Sequence, residues 1–354
     1  MPTIQVNKQG AVLYYEDSGA PHGQSHYRTI FLIHGLIFHS AIFRPMFQYA
    51  EANNLRFIAL NMREYPGSSP FTDEEFERFQ SSDSRIQSVA LRDQAFEVAS
   101  AIAQLIETQD IPAPQQDGER QLGGVSILAW SIANCVIYSL FSNIAQLDPR
   151  VSAVLDRHLR TFFMYDPPSP IIGSQLPPGV ITPMDDPTIP DTDRTAAFIS
   201  WVSSFCNPLP TAEAVTPETL QTRYDMHELS ADPRFSPTAS RISPSELASI
   251  SSPELAARVL LVLLFRPEVF DKNLRHSIFD TKGLWKDVKI VGLSSDMSPS
   301  IFAWAFKVIS DMLEMTPGEG EVRRKCDMVK LTGKNHFWHY EDPEPFVRFL
   351  AEHI

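Results

Sequence analysis

A serine flanked by small residues is the first candidate for chemistry in this sequence. Ala129-Trp130-Ser131-Ile132-Ala133 follows an apolar run, Val125 to Leu128, and precedes apolar residues at helical spacing (Ile132, Val136, Ile137 and Leu140). Such a pattern predicts a buried strand, a turn and a helix. Small residues two places before and after Ser131 let neighbouring backbone approach the turn. Ser131 is therefore either a nucleophile awaiting a base or simply a helix cap.

His336 is the candidate base. It follows a predicted last strand, Met328 to Leu331, and closes the turn Gly333-Lys334-Asn335-His336. Because parallel strands bring their carboxyl ends to one edge of a sheet, His336 can meet Ser131 although the two are far apart in sequence. A histidine that accepts the serine proton, held in place by a carboxylate, is the arrangement that acyl transfer requires.

Two aspartates are open as the acid that would orient His336. Asp296 follows the predicted strand Asp287 to Leu293 and gives the chain order serine, aspartate, histidine. Asp166 ends the predicted strand Arg160 to Tyr165 and precedes two prolines. Asp296 is the preferred acid, although Asp-Met-Ser-Pro is also a helix N-cap signal.

Strand and helix patterns alternate along the chain, which predicts an α/β fold with a mostly parallel sheet flanked by helices. Thr3 to Val6 and Ala11 to Tyr15 form a predicted hairpin, and the strands Thr29 to Ile33 and Phe57 to Leu60 flank a helix at Ala41 to Ala52. Further helices are predicted at Ser84 to Glu107, Ile301 to Leu313 and Pro343 to Ile354. These elements would carry the candidate residues at their ends.

The composition changes after Asp166. Prolines crowd the region up to Leu247 and leave only short helical patches, at Arg194 to Phe205 and Pro217 to Tyr224. We therefore expect a proline-rich, mainly helical cap over residues 167–250, inserted between two parts of one core, residues 1–166 and 251–354. The stretch Glu254 to Phe265 favours helix.

Four segments carry a resemblance to the α/β-hydrolase superfamily. Ala129 to Ala133 is similar to its nucleophile elbow, with alanine in place of both glycines. Leu32-Ile33-His34-Gly35 resembles its H-G turn, and Asn61 to Ser69 its D-x-R-G-x-G-x-S loop, with Glu64 at the first glycine. The histidine segment Gly333 to Pro343 is the most specific match.

The resemblance implies a capped serine hydrolase with Ser131, Asp296 and His336 as its catalytic triad. The backbone N–H groups of Leu36, with Ile37 as an alternative, and of Ile132 would then form the oxyanion hole, with His34 packed beneath it. The implied substrate is a small or medium apolar ester or lactone. Carbon–carbon bond hydrolase, acyl transferase or aminopeptidase chemistry on the same fold stays open, as does a non-catalytic member that binds a small ligand.

Composition limits the partners. The net charge of −13 argues against nucleic acid, since phosphate binding needs a basic face. No apolar run reaches the roughly 18 residues of a membrane span, and no secretory signal is visible. With three scattered cysteines, a cytoplasmic protein with reduced thiols is expected, and the sequence leaves its oligomeric state open.

Aromatic residues beside the candidate triad predict an apolar pocket, with Phe38, Trp130 and Phe337 as substrate contacts. His339 lies three residues after His336, but no further ligand motif accompanies the two histidines. We therefore expect neither a metal nor a cofactor, and we expect His339 in a solvated loop.

Overall fold

The computed structural model describes residues 2–118, 120–209, 211–222, 232–280 and 283–354, and its centre is an eight-stranded sheet. The strands of the chain are β1 Thr3–Gln5, β2 Val12–Asp17, β3 Arg28–Ile33, β4 Leu55–Leu60, β5 Gln115–Asp117, β6 Arg120–Leu122, β7 Val125–Trp130, β8 Leu159–Tyr165, β9 Phe279–Asp280, β10 Lys289–Ser295, β11 Val322–Arg323 and β12 Cys326–Leu331.

The sheet order is β1-β2-β4-β3-β7-β8-β10-β12. The β1–β2 and β2–β4 pairs are antiparallel, and the five remaining pairs are parallel. The predicted α/β fold with a mostly parallel sheet is thus confirmed. β7 and β8 are neighbours, so Ser131 and Asp166, each directly after its strand, emerge side by side at one edge.

Helices cover both faces of the sheet. They are α1 Arg44–Phe47, α2 Asp73–Gln80, α3 Ser84–Thr108, α4 Ala133–Ser142, α5 Pro149–His158, α6 Arg194–Val202, α7 Pro217–Thr222, α8 Thr238–Arg241, α9 Pro244–Ile250, α10 Ala256–Val259, α11 Pro267–Ile278, α12 Ser300–Glu314, α13 Trp338–Glu341 and α14 Pro343–His353. Among the described residues, no helix is long and apolar enough to cross a membrane.

Alternate residues of the central strands enter two hydrophobic cores. On β3, Phe31 and Ile33 pack against α3, α4 and α11, whereas Ile30 and Leu32 pack towards α13 and α14. This alternation follows from the two-residue period of a strand. Burial on both faces explains why the central strands read as continuous apolar runs.

Several predicted elements differ from the structure. The stretch Glu254 to Phe265, expected as a helix, consists of the short helix α10 between two 3-10 turns, Pro253–Leu255 and Leu260–Leu264. The single helix expected at 41–52 is split into the 3-10 turn Ser40–Phe43, α1 and the 3-10 turn Glu51–Asn53, with Pro45 in the first turn of α1. β10 extends to Ser295, two residues beyond its predicted end. The helix predicted at 217–224 is α7, Pro217–Thr222, and residues 223 and 224 lie outside the part of the chain that the structure describes.

The chain leaves the sheet after Asp166 and returns to a sheet-packing helix only at α11. We call residues 167–266 the insertion. It begins with Pro167-Pro168 and contains α6 to α10 with the 3-10 turns Ser169–Ile172, Pro233–Phe235, Pro253–Leu255 and Leu260–Leu264. Short helical elements therefore continue past the expected cap boundary at residue 250. Glu341, within the histidine segment, binds Thr238 and Arg241 of the insertion.

Candidate active site

Ser131 occupies a strained turn between β7 and α4. Its φ is +59°, in the left-handed region that a non-glycine residue rarely adopts. The Ser131 N–H donates to the Tyr165 carbonyl at 2.9 Å. The Asn134 side-chain amide donates to the carbonyls of Ser131 and Tyr165, at 2.7 and 3.1 Å. These bonds hold the turn to the neighbouring strand, so the strain is fixed by its surroundings.

Gly35 is required for the close approach of the H-G turn to Ser131. A Cβ atom at position 35 would lie 3.0 Å from the Ser131 Cβ and 3.2 Å from the Trp130 ring. Ala129 and Ala133, which flank the serine, are buried in the core around α3 and α4. A side chain at position 35 would thus press on Ser131 and Trp130, whereas alanine is accommodated on both sides of the serine.

His336 is hydrogen-bonded to Asp166. The His336 Nδ1 lies 3.1 Å from the Asp166 Oδ2, and both side chains are buried. Asp166 also accepts the Ser295 N–H at 2.8 Å and the Ser298 hydroxyl at 3.0 Å. With the His336 ring, the Asp166 carboxylate therefore has three hydrogen-bond partners. Burial lowers the pKa of His336 below its usual value, against the opposing effect of Asp166, so the ring is neutral near pH 7.

Asp296, the acid preferred from the sequence, takes a different position. Its carboxylate accepts the Gly333 N–H at 2.8 Å, and its own N–H donates to the Leu331 carbonyl. Asp296 therefore braces the turn that leads from β12 to His336. The carboxylate that the structure brings to His336 is that of Asp166, the alternative acid.

The backbone N–H groups of Leu36 and Ile132 have no acceptor within the described part of the chain. The next N–H, of Ile37, donates to the Tyr65 hydroxyl at 3.0 Å. His34 supports the loop from beneath: its Nδ1 donates to the Gly35 carbonyl at 2.8 Å, and its Nε2 accepts the Met62 N–H at 3.0 Å. Burial lowers the pKa of His34 to about 3, so it stays a neutral structural group.

Ser131 and His336 both line a cavity of about 350 Å³. Most of its other walls are apolar and come from the core and the insertion: Leu36, Phe38, Trp130, Ile132, Pro168, Pro170, Met184, Phe198, Val202, Leu260, Leu263, Leu264, Ile301, Phe302 and Phe337. The three aromatic contacts expected from the sequence are among them. Phe302, which was not predicted from the sequence, stacks on His336 with 4.0 Å between the ring centres. The one sequence signal for Phe302 is its place in the first turn of α12, after β10.

No protein-family model matches the sequence, and no curated protein matches it. Over its full length the chain is similar to a solved structure described as Est816, an N-acyl homoserine lactone degrading enzyme, with 13% identity, complete coverage of both chains and a TM-score of 0.53. The chain has the α/β-hydrolase fold. Other similar structures are a carboxylesterase from Nitrososphaera gargenis (15% identity, 99% and 97% coverage, TM-score 0.49) and an esterase from Exiguobacterium antarcticum (13%, 99% and 98%, 0.46).

One expectation for this α/β-hydrolase fold is wrong. His339 is fully buried, not in a solvated loop, and its ring packs against Trp130, Phe43 and Tyr165 at 4.5, 5.1 and 5.7 Å. Neither ring nitrogen has a hydrogen-bond partner among the described residues. The same residues contain no cluster of three groups able to hold a metal. α13 begins at Trp338 and turns this side chain inward.

Replacing His339 with leucine is expected to reduce the loss of stability in acid. Burial and the nearby His336 hold the pKa of His339 well below 6.5 in the folded state. The unfolded chain therefore binds more protons below pH 6.5, and stability falls as pH falls, at about 1.4 kcal/mol per pH unit per group. Urea unfolding at pH 7 and pH 5 should show a shallower decrease for His339→Leu. The His22→Leu variant, at an exposed histidine, is the control. Equal decreases in the free energy of unfolding for His339→Leu and wild type would contradict a lowered pKa of His339 in the folded state.

Proposed function

We propose that this protein is a serine hydrolase that cleaves a small or medium apolar ester or lactone through an acyl-enzyme on Ser131. The observation that carries the proposal is one apolar cavity lined by Ser131 and His336, with His336 hydrogen-bonded to the buried Asp166. A strained serine, a neutral histidine and a carboxylate with three donors are the groups that acyl transfer needs.

In the proposed reaction, His336 accepts the Ser131 proton as the hydroxyl oxygen attacks the substrate carbonyl. Asp166 keeps the proton on Nδ1, which leaves Nε2 free as the base, and stabilises the imidazolium that forms. His336 then protonates the leaving alcohol. A water molecule, deprotonated by the same histidine, attacks the acyl-enzyme and releases the carboxylic acid and free Ser131.

The negative charge that develops on the carbonyl oxygen requires donors already in place. The N–H groups of Leu36 and Ile132, without acceptors in the described part of the chain, are the proposed pair. Loss of one such donor typically costs about 3–4 kcal/mol of transition-state stabilisation. Ile37 is not proposed, because its N–H is taken by Tyr65.

The cavity supports the substrate class. Its 350 Å³ correspond to roughly a dozen water-sized volumes of about 30 Å³ each, which suits an acyl group of medium length. Since its walls are largely apolar, a neutral acyl group would gain from burial, whereas a charged one would lose its hydration. The acidic net charge of the protein adds to the cost for an anionic substrate.

The proposal is tested by labelling with a fluorophosphonate and locating the adduct by mass spectrometry. We expect labelling at Ser131 in the wild type, a loss of labelling in His336→Ala, and no change in the control His22→Ala, whose histidine is exposed. Heat-denatured wild type shows the background. A folded wild type that is not labelled would overturn the proposal and favour a non-catalytic protein that binds a small ligand.

A further inference from the structure

The loop after β4 contains a residue whose backbone favours glycine. Glu64 has a φ of +78°, and its side chain is only 4% exposed. The Phe71 N–H donates to its Oε1 at 2.6 Å. A bulky residue in the left-handed region is retained where its side chain makes contacts that a glycine cannot make.

The main partner of Glu64 is Arg258 on α10, in the insertion. The Arg258 Nε donates to Oε2 at 2.6 Å, and its Nη2 donates to Oε1 at 3.0 Å. The guanidinium also lies over the Phe76 ring of α2, 4.1 Å from its centre. A paired, stacked arginine is a geometrically specific contact. Arg258 thus ties α10 to the loop after β4 and to α2.

The segment Ala256–Leu264, which we call the wall, contains Arg258 and lies between two cavities. Val259 and Val262 line a small cavity of about 70 Å³, together with Arg258 itself. Leu260, Leu263 and Leu264 line the larger cavity that contains Ser131. None of the residues Leu260–Leu264 is fully buried. Leu261, Val262 and Leu263 pack against the core while partly exposed, and the ion pair adds a directional constraint to this packing.

We propose that Glu64 and Arg258 form a positioning pair that fixes the wall Ala256–Leu264 and thereby sets the length of the acyl group that the cavity accepts. This proposal rests on the proposed function for its substrate. The pair touches none of Ser131, His336 and Asp166 in the contacts described, so it acts on substrate fit and not on the chemical step.

Arg258→Met is expected to raise KM for p-nitrophenyl hexanoate about tenfold, the effect of losing about one methylene contact. Both KM and kcat for p-nitrophenyl acetate should stay within about twofold of wild type. Arg258→Lys keeps the charge but not the two-pronged hydrogen bonding, so its KM for the hexanoate ester should lie between those of wild type and Arg258→Met. The matched control is Arg150→Met, which removes an exposed arginine paired with Glu107 at 3.0 Å. Equal KM changes for both esters would overturn the specificity role.

Hydrogen exchange of residues 256–264 tests the pair without any turnover. Exchange there should rise in Arg258→Met and rise less in Arg258→Lys, which keeps a positive charge beside Glu64. Unchanged exchange in Arg258→Met would overturn the positioning role even if esters are hydrolysed. A wild type that hydrolyses no ester would instead refute the proposed function, and exchange would still decide whether the pair holds the wall.

Discussion

The Ser131→Ala variant is expected to lose about 10⁶-fold in kcat on p-nitrophenyl esters, because removal of the nucleophile leaves only the oxyanion donors and binding to assist the reaction. KM should change little, since the cavity walls stay in place. The loss is measured with hexanoate and acetate esters under saturating conditions, and circular dichroism establishes that the variant is folded.

The matched control for that variant is Ser139→Ala. Ser139 lies on α4, two turns beyond the candidate nucleophile, and is buried like Ser131. It should keep wild-type kcat. Ser131→Ala protein with wild-type turnover, purified free of contaminating esterase, would contradict a mechanism based on Ser131.

The paired variants Asp166→Asn and Asp296→Asn should differ by about three orders of magnitude in kcat. An asparagine at 166 presents an N–H to His336 and favours the wrong tautomer, which costs about 10⁴-fold in a triad of this kind. An asparagine at 296 still accepts the Gly333 N–H through its carbonyl oxygen, so a loss of less than about tenfold is expected for the loop that carries His336.

Kinetics of both variants on one ester, with fluorophosphonate labelling rates as a second measure, decide between the two acids. A collapse of activity in Asp296→Asn with near-normal Asp166→Asn would make Asp296 the acid and assign the bond between Asp166 and His336 a structural role. The two variants are isosteric with wild type, so both outcomes can be measured on folded protein.

The sequence was sufficient for the eight strands of the central sheet, the α/β fold and the positions of Ser131 and His336 at strand ends, because apolar runs and helical spacing report burial directly. The carboxylate that lies beside His336 was harder to predict. Choosing between Asp166 and Asp296 requires the order of β7, β8 and β10 in the sheet, which depends on long-range pairing that no local pattern encodes. The two extra residues of β10 also shifted the position at which Asp296 leaves the strand.

The environment of His339 and the course of the insertion could not be predicted for a related reason. Burial of His339 results from α13 starting at Trp338, and four-residue helices of this kind are below the length that periodicity can resolve. The insertion is interrupted by prolines, and its contacts, such as that of Arg258 with Glu64, join residues nearly two hundred positions apart.

Asp166 is followed directly by Pro167 and Pro168, and Pro168 already lines the cavity. Proline rings fix φ and exclude most rotations of the connecting backbone. Asp166 and the first cavity-lining residue of the insertion are thus joined by a stiff link. If Asp166 orients His336 as proposed, substitutions in the insertion beyond Pro168 can reshape the cavity without rotating the backbone of Asp166, so substrate preference and catalytic rate can be altered separately.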